Sequence, residues 1–403
     1  MPTKQTTTPK NWQQVKLGDV CDIVNGSTPK RSVPEYWKNG NIPWFTIEDI
    51  RSGGRIINET KQSITDKALK ETSVKMLPKD SILLCCTASI GEVAFTKIPL
   101  TTNQQFNGLV IKDKKNVFPN YLFYSIQKFG KNLKKKTGKT TIGFLSVGNL
   151  SKEEILLPPL SEQQKIAEIL EAVDLEIEKV SEEIEKSEKM KRGLMDDLLV
   201  RDILNNNYPQ FKIGKICETD SGGTPSRKKK EYFEDGTISW LTSGEIKKGK
   251  IYSSKQSITE LGLSSSSAKV FPTDTVLVAM YGVTAGQVGI LKSEMSTNQA
   301  ICGILPNKKI FPEFLYQYLL VKSSYLRSLA GGGAQPNISQ KIIKDQHIPV
   351  PPIEKQKQIA EILSTVDDKV KITKNLKNSL TKLKKGLMQD LLSGVVRVNV
   401  LNV

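Results

Sequence analysis

The chain has 403 residues, of which 38% are hydrophobic and 25% charged, which is typical of a folded chain of two or three domains and excludes a disordered one. No apolar run approaches the ~20 residues that cross a bilayer, and residues 1–12 lack the apolar stretch of a signal peptide. The net charge of +17 favours a polyanionic partner such as nucleic acid. We therefore expect a cytoplasmic protein without membrane contact.

The five cysteines and the single histidine form no pattern of metal ligands. Cys85 and Cys86 are adjacent, the other three cysteines are isolated, and His347 has no second histidine near it. Zinc sites use Cys or His pairs at short spacing. The sequence therefore predicts free thiols and no bound metal.

The first half of the chain predicts a mixed body of strands and helices followed by one long helix. Short apolar runs such as SILLCC, at residues 81–86, lie between Gly, Pro, Asn and Ser clusters, as strands do. FPNYLFYSIQKF has helical spacing, with Pro119 near its start. Heptad spacing after Ser161 predicts a helix of roughly 40 residues. Its apolar positions are Ile166, Leu170, Val173, Ile177, Val180 and Ile184.

The second half repeats the first. GSTPKR at Gly26 matches GGTPSR at Gly222, and PPLSEQQKIAEIL at Pro158 matches PPIEKQKQIAEIL at Pro351, 193 residues later. The predicted apolar positions of the second long helix are Ile359, Leu363, Val366 and Val370, followed after a slip in register by Leu376, Leu380, Leu383 and Leu387. The chain is thus an internal duplication, for which we expect pseudo-twofold symmetry.

Charge divides the chain into four segments. Residues 1–157 carry 24 basic and 13 acidic side chains (+11), and residues 206–350 carry 18 and 11 (+7). Residues 158–205 carry 7 basic and 13 acidic side chains, a net charge of −6, and residues 351–403 carry 10 basic and 5 acidic side chains, a net charge of +5. We predict an α+β protein with two similar globular domains, 1–157 and 206–350. Because a single helix with an apolar stripe is unstable in water, the other two segments should pack antiparallel as a coiled-coil spacer.

Two basic domains that are linked in one chain but differ in sequence predict a DNA target with two different parts. The repeated G-[ST]-TP-x-R, EY…W and TNQ motifs, each set ending in a Pro-Pro pair and a long helix, resemble the specificity subunit of a type I restriction–modification system. The resemblance implies that each body is a target-recognition domain for double-stranded DNA. It also implies that the helices set the half-site spacing and dock two copies of the methyltransferase subunit, and that the assembly recruits restriction subunits.

The resemblance further implies a chain without catalysis or cofactor, with S-adenosylmethionine, ATP and Mg²⁺ bound by the partner subunits only. Two alternatives remain open from the residues alone. Asp235, Glu245 and Lys247 fit a loose nuclease spacing for a Mg²⁺-dependent enzyme. The long helices are also compatible with an adaptor that binds only proteins.

Polar and basic side chains at equivalent positions of the two bodies are the candidate DNA contacts, with acids accepting from cytosine amino groups. In the first body they are Thr28, Lys30, Arg31, Trp44, Thr46, Glu48, Asp49, Thr87, Ser89, Lys134, Lys135, Lys136 and Lys139. In the second they are Thr224, Arg227, Lys228, Trp240, Thr242, Ser243, Glu245, Tyr281, Thr284 and Gln335. The structural alternatives are core tryptophans and solvated basic turns.

The faces of the long helices outside the apolar seam are the candidate surfaces for partner subunits. They carry Gln163, Glu168, Gly193 and Met195 in the first helix, and Gln356, Glu361, Gly386 and Met388 in the second. A glycine inside a helix costs about 1 kcal/mol relative to alanine. The duplicated Gly193 and Gly386 therefore indicate a close approach of another element, a helix break or a helix end.

Overall fold

A computed structural model describes residues 9–87, 89–137, 145–331 and 337–398, without the side chains of residues 134–137 and 248. The chain divides into two compact units. The first comprises the described residues up to Ser181 together with those from Leu376 onward, and the second comprises Glu182–Asn375. Each unit contains one mixed body and segments of both long helices, whereas the four-segment division at 157, 205 and 350 stays a prediction.

The first body and the helix after it have the following elements. The strands are β1 Gln13–Lys16, β2 Cys21–Asn25, β3 Ile42–Phe45, β4 Ile56–Ile57, β5 Gln62–Ile64, β6 Ile82–Cys85, β7 Val93–Thr96, β8 Thr101–Thr102, β9 Phe106–Ile111 and β10 Glu154–Leu157. The helices are α1 Leu17–Val20, α2 Ile47–Gly53, α3 Asp66–Glu71, α4 Pro119–Thr137, α5 Val147–Leu150 and the long α6 Leu160–Asp196. A π-helical turn, Asp197–Arg201, continues α6 into α7, Asp202–Asn206.

The second body repeats this plan. Its strands are β11 Gln210–Lys212, β12 Thr219–Ser221, β13 Ile238–Leu241, β14 Lys250–Ile251, β15 Gln256–Ile258, β16 Val270–Phe271, β17 Val276–Ala279, β18 Val288–Leu291, β19 Met295–Thr297, β20 Ile301–Ile304 and β21 His347–Pro349. Its helices are α8 Ile213–Ile216, α9 Glu260–Ser264, α10 Pro312–Val321, α11 Ser323–Ser328, α12 Gln340–Lys344 and the long α13 Ile353–Leu391. No helix among the described residues is long and apolar enough to cross a membrane.

The sheets of the two bodies have matching strand orders. The first body has a five-stranded sheet, β2-β9-β6-β7-β4, a three-stranded sheet, β5-β3-β8, and the pair β1-β10. The second has β12-β20-β17-β18-β14, the four-stranded β15-β13-β19-β16, and the pair β11-β21. Within each five-stranded sheet, the last strand is parallel to its neighbour and the other three pairs are antiparallel. The predicted duplication and the mixed α and β content are confirmed.

Both faces of β6, the central strand of the five-stranded sheet, are buried, as its alternating side chains illustrate. Ile82 and Leu84 pack into the cluster that contains Tyr121 and Leu122 of α4. Leu83 and Cys85, which point to the opposite face, pack with Phe106 in a second cluster. Burying one such aliphatic side chain contributes about 1.5–3 kcal/mol. The sequence SILLCC is apolar without a break because neither face contacts solvent.

The apolar seam of α13 continues without the predicted slip. Leu376 and Leu383 are exposed, at 46% and 51%, and Thr373 is buried. The seam therefore keeps its heptad spacing through Thr373, Lys377, Leu380, Lys384 and Leu387, the same positions that Val180, Ile184, Ser187, Lys191 and Leu194 occupy in α6. The slip was wrong because polar side chains occupy three seam positions, while nearby leucines lie on the exposed face.

Ion pairs within and just beyond the two long helices agree with an antiparallel arrangement of their segments in each unit. In the first unit Asp174 pairs with Lys384 and Glu162 pairs with Arg397, so the partner number falls as the first rises. In the second unit Lys191 pairs with Asp367, and Asp202, just beyond the π turn, pairs with Lys355. The antiparallel arrangement of the helices agrees with the sequence prediction.

The start of α6 is tied to both ends of the described chain. The Glu162 carboxylate is buried and accepts hydrogen bonds from Arg397 Nε at 2.7 Å, Arg397 Nη2 at 2.9 Å and Trp12 Nε1 at 2.9 Å. Arg397 Nη1 donates to the Lys10 carbonyl oxygen at 3.0 Å. The first unit is therefore assembled from residues at the two extremes of the sequence.

Candidate nucleic-acid interface

One edge of the five-stranded sheet collects most of the predicted contacts of the first body. β2 and β6 both run antiparallel to β9. The loops that follow β2 and β6 therefore meet the segment that precedes β9. The parallel strands β3 and β8 end beside that segment, where Asn103 N donates to the Phe45 carbonyl oxygen at 3.3 Å. We call residues 26–31, 46–49, 87, 89 and 103–105 the first loop edge.

The second body forms the same edge from the same strands. β12 and β17 run antiparallel to β20, and β13 runs parallel to β19. The loops after β12, β13 and β17 therefore meet the segment before β20. We call residues 222–228, 242–245, 281–284 and 298–299 the second loop edge. Predicted contacts that are distant in the sequence thus come together in both bodies.

A threonine–glutamine hydrogen bond fixes the first loop of each edge. Thr28 Oγ1 donates to Gln104 Oε1, and Thr224 Oγ1 donates to Gln299 Oε1. The glycine that begins the loop packs against backbone, because a Cβ on Gly26 would collide with the Asn103 carbonyl oxygen. Both threonine side chains are therefore held by a contact inside the chain, and their contact with DNA stays a prediction.

Arg31 is exposed but held in place by two rings and an amide. Its guanidinium carbon lies 3.6 Å from the ring centre of Trp37 and 4.8 Å from that of Trp44, and Nη2 donates to Gln62 Oε1 at 2.7 Å. Partial desolvation lowers the pKa of Arg31, although an arginine stays charged in proteins. Stacking on aromatic rings and a fixed hydrogen bond leave this cation oriented before any ligand arrives.

Arg227 has the equivalent position in the second body, with looser contacts. Its guanidinium carbon lies 5.3 Å from the ring centre of Trp240 and 5.7 Å from that of Phe233, and Nη2 donates to Gln256 Oε1 at 3.5 Å. Gln62 and Gln256 belong to the repeated KQSIT motif. That motif was visible in the sequence, but its glutamine was not predicted as an arginine partner.

Trp44 and Trp240 are core residues and not DNA contacts. They are 2% and 1% exposed. Trp44 Nε1 donates to the Ser27 carbonyl oxygen at 3.1 Å, and Trp240 Nε1 donates to the Gly223 carbonyl oxygen at 3.0 Å. Both rings therefore support the first loop of each edge from below, and neither indole is available to a base.

Two of the acids predicted to read cytosine are buried and accept hydrogen bonds from the chain itself. Asp49 is buried, and its carboxylate accepts from Thr46 N at 2.7 Å and from Lys61 N at 2.8 Å. Thr46, itself buried, completes the capping box of α2. Glu245 is likewise buried and accepts from Thr242 Oγ1 at 3.4 Å and Lys255 N at 3.1 Å. Thr46, Asp49 and Glu245 are thus structural, which corrects their assignment, whereas Thr242 is half-buried and stays a predicted contact.

The remaining predicted contacts divide into accessible and undescribed side chains. Lys30, Lys228 and Glu48 are exposed, with Glu48 in an ion pair of 2.5 Å with Arg51. Ser89 and Ser243 are half-buried, and Thr87 Oγ1 is buried with no hydrogen-bond partner among the described atoms. Lys139, Gln335 and the side chains of Lys134, Lys135 and Lys136 lie outside the described residues.

The loop after β17 differs in chemistry from the loop after β6. Tyr281 is 42% exposed, and Thr284 Oγ1 donates to its carbonyl oxygen at 3.1 Å. Between them Val283 is 81% exposed, a residue that the sequence prediction missed. Val283 lies two residues after Tyr281, a predicted DNA contact, and this proximity was the only signal in the sequence for its exposure. The second loop edge therefore presents an apolar side chain in this loop, whereas the Thr87 hydroxyl of the first loop edge is buried.

Two of the predicted partner contacts are instead internal anchors of the long helices. Gln163 is fully buried, with Oε1 accepting from Phe118 N at 2.8 Å and Nε2 donating to the carbonyl oxygens of Asn116 and Pro158 at 2.9 and 2.8 Å. Gln356 repeats the arrangement, accepting from Phe311 N at 2.7 Å and donating to the Pro351 carbonyl oxygen at 2.8 Å. Both glutamines join a long helix to its own body.

The other predicted partner contacts fall into two groups. Met388 is buried in the core of the first unit, which removes it from the partner surface, whereas Met195 is half-buried against the core of the second and stays a predicted contact. Glu168 and Glu361 are exposed. Gly193 and Gly386 are exposed inside continuous helices, and an added Cβ would meet no described atom within 4 Å. Neither glycine ends or breaks its helix.

The described residues supply no basis for metal or thiol chemistry. They contain no group of three His, Cys, Asp or Glu side chains that could hold a metal ion. Glu245 is buried and follows β13, whereas Asp235 precedes the same strand, so the spacing that suggested a nuclease is not a shared site. All five cysteines are buried, and burial raises the pKa of Cys21 to about 12. A protonated, enclosed thiol is a poor nucleophile.

Comparison with known proteins gives one consistent answer. The model of the family described as "Type I restriction modification DNA specificity domain" matches residues 9–186 and again residues 205–382. The MjaIX specificity subunit of a type I restriction enzyme, from Methanocaldococcus jannaschii, is 28% identical over 97% of this chain and 94% of its own length. The EcoprrI specificity subunit from Escherichia coli is 26% identical over 91% of this chain and 88% of its own.

Solved structures share the fold. The S subunit of a type I restriction–modification system from M. genitalium superposes with a TM-score of 0.65 at 17% identity, over 97% of this chain and 98% of that one. A chain from a study of complex assembly and conformational transition of the type I system gives a TM-score of 0.57, also at 17% identity. The match covers 97% of this chain and 100% of that one.

Proposed function

Because the chain belongs to the family of type I restriction–modification DNA specificity domains, we propose that it binds double-stranded DNA at a bipartite, asymmetric target. Each body reads one half of the target, and the chain itself performs no covalent step. Methylation and cleavage are left to partner subunits, which bring S-adenosylmethionine, ATP and Mg²⁺.

The observation that carries this proposal is the pair of loop edges. The same strand ends position equivalent loops in both bodies, and each edge presents one oriented arginine, Arg31 or Arg227. The other loops of the two edges differ, since Thr87 and Ser89 follow β6 where Tyr281 and Thr284 follow β17. A fixed cation with variable neighbours fits a module that grips any phosphate backbone and reads different bases. The body charges of +11 and +7 supply long-range attraction to DNA.

The long helices supply the proposed docking surfaces for two methyltransferase subunits, with restriction subunits added to that assembly. Gly193 and Gly386 support this assignment because they are exposed, lie inside helices and have free space around them. An exposed helical glycine costs about 1 kcal/mol, so its presence at both equivalent positions suits a partner that must approach the backbone closely. Two equivalent surfaces correspond to two copies of one partner.

Exchange of one body tests the proposal. Residues 1–157 are replaced by the equivalent segment of a relative with a different target, and methylated sites are mapped on genomic DNA in the presence of the methyltransferase subunit. We expect one half of the target to change while the other half stays the same. A change in both halves, or in neither, would contradict modular reading. Incubation of the purified chain with Mg²⁺ and DNA should leave the DNA intact.

A further inference from the structure

The loop after β17 forms a rigid projection on the second loop edge. Gly286 N donates to the Ala279 carbonyl oxygen and Ala285 N to the Gly282 carbonyl oxygen, at 2.9 and 3.0 Å. Gly282 and Gly286 have φ angles of +69° and +81°, which favour glycine. An added Cβ on Gly286 would come within 2.9 Å of the Ser323 carbonyl oxygen, so α11 holds the base of the loop.

Neighbouring segments fix the loop on its other side. Met280 N donates to the Ala300 carbonyl oxygen at 2.8 Å, and Ile338 N donates to the Met280 carbonyl oxygen at 2.8 Å. Tyr281 forms a β-bridge with Asn337. Val283 therefore lies at the tip of an ordered turn whose base is buried on both sides. Of the described residues it is the most exposed large hydrophobic side chain, at 81%.

A β-branched side chain on such a turn has little conformational freedom to lose on binding. Single exposed hydrophobic residues are common on protein surfaces, but this one shares an edge with Arg227 and Thr224, and no charged residue occurs in residues 280–287. A compact apolar group on the same loop edge as an oriented arginine suits one feature of the major groove. The 5-methyl group of thymine is the apolar marker that the groove exposes.

We propose that Val283 reads the 5-methyl group of a thymine in the half-site bound by the second body. This inference rests on the proposed function and adds a base identity to it. The first body has hydroxyl side chains, Thr87 and Ser89, in the corresponding loop, so the methyl contact belongs to the second half-site only. Valine is too short to act as a wedge between base pairs, a role taken by longer side chains.

Deoxyuridine substitution isolates the methyl group, because uracil keeps the pairing edge and the charge of thymine. Each thymine of the mapped second half-site is replaced in turn by deoxyuridine, and the Kd of the chain assembled with its methyltransferase subunit is measured. We expect one position at which the substitution weakens binding about fourfold, equivalent to about 0.8 kcal/mol for one buried methyl group.

The Val283→Ser variant should bind thymine and deoxyuridine duplexes equally, because serine lacks both methyl groups of valine. Val395→Ser is the matched control, since Val395 is also exposed (68%) but lies in the other unit. It should keep the fourfold difference. Three results would overturn the inference: a half-site without thymine, a wild-type complex whose Kd is unchanged by every deoxyuridine substitution, or a Val283→Ser variant that keeps the difference.

Failure of the proposed function has a different signature. A wild-type complex that binds the mapped duplex no better than a scrambled duplex would contradict sequence-specific binding itself. Specific binding without any dependence on the thymine methyl group would contradict only the assignment of Val283.

Discussion

Lys191 and Asp367 form an ion pair of 2.5 Å in the second unit, and the residues equivalent to them by the 193-residue repeat, Lys384 and Asp174, form the same pair in the first. Each aspartate also accepts a hydrogen bond from its own body. Gln317 Nε2 donates to Asp367 at 2.8 Å, and Tyr124 Oη donates to Asp174 at 3.0 Å. One carboxylate thus joins a body and both long helices within each unit.

Replacing Lys191 by methionine should lower the free energy of unfolding by about 2 kcal/mol, because Asp367 is only 21% exposed and loses a charged donor. Urea-induced unfolding measures the difference. Lys374→Met is the matched control, since Lys374 pairs with Glu188 on a more exposed surface. Its change should stay below about 0.5 kcal/mol. Equal losses in the two variants would contradict a special role for the buried pair.

Gln356→Leu should destabilise the chain by about 2 kcal/mol, because it leaves the Phe311 amide and the Pro351 carbonyl buried without their partner. Thermal unfolding measures the loss. Gln358→Leu, on the exposed side of the same helix, should have little effect. A Gln356→Leu variant with unchanged thermal stability would show that these hydrogen bonds do not anchor the helix.

Arg31→Ala should weaken binding to the mapped target by about tenfold to hundredfold, the range expected for loss of one well-placed arginine contact. Equilibrium binding at several salt concentrations separates the two possible contacts. If Arg31 contacts a phosphate, its loss lowers the salt dependence of binding by about one counterion. If it contacts a base, its loss relaxes the sequence specificity of one half-site. Lys165→Ala, an exposed change on α6, is the control and should bind normally.

Gly193→Trp should abolish association with the methyltransferase subunit and leave DNA binding by the chain unchanged. Gly193→Ala should raise the free energy of unfolding by about 0.5–1 kcal/mol, because helix propensity improves and no neighbour is displaced. Arg192→Trp changes an exposed position about 100° around the helix. Analytical ultracentrifugation of the mixtures compares the three variants, and normal assembly of Gly193→Trp would contradict the proposed docking surface.

The thiols should resist modification until the chain unfolds. Burial raises the pKa of Cys21 and Cys302 from 9.0 to about 12, so the folded state favours the protonated forms. This contribution to stability is fully present below about pH 9 and is lost as the pH rises toward 12. A chromogenic disulfide reagent at pH 8 should detect no thiol in the native chain and all five in urea. Rapid reaction in the native state would contradict the burial of these residues.

The sequence was sufficient to predict the duplication and the antiparallel helices, because each depends on periodicity or on repeated motifs. It misplaced residues whose roles depend on three-dimensional partners. Asp49 and Glu245 each lie three residues after a threonine, the spacing of a capping box. That spacing is present in TIED and TSGE, the segments for which the sequence prediction favours base recognition.

Gln163 and Gln356 show a second reason for such errors. A polar residue at a helix surface is ordinarily exposed, and periodicity alone does not identify the one glutamine that completes buried backbone hydrogen bonds. Its retention at the first turn of both helices was the available signal. Lys384 raises the opposite difficulty, since a charged residue occupies a seam position because Asp174 neutralises it.

The first unit is discontinuous in sequence, because its last segment, which pairs Arg397 with Glu162, follows the whole second unit. During translation the second unit has all its residues before the ribosome has made the segment from Leu376 onward that belongs to the first. The body synthesised earliest must therefore wait longest for its final contacts. Nascent chains stalled near residue 375 should leave Trp12 and Glu162 without their arginine partner.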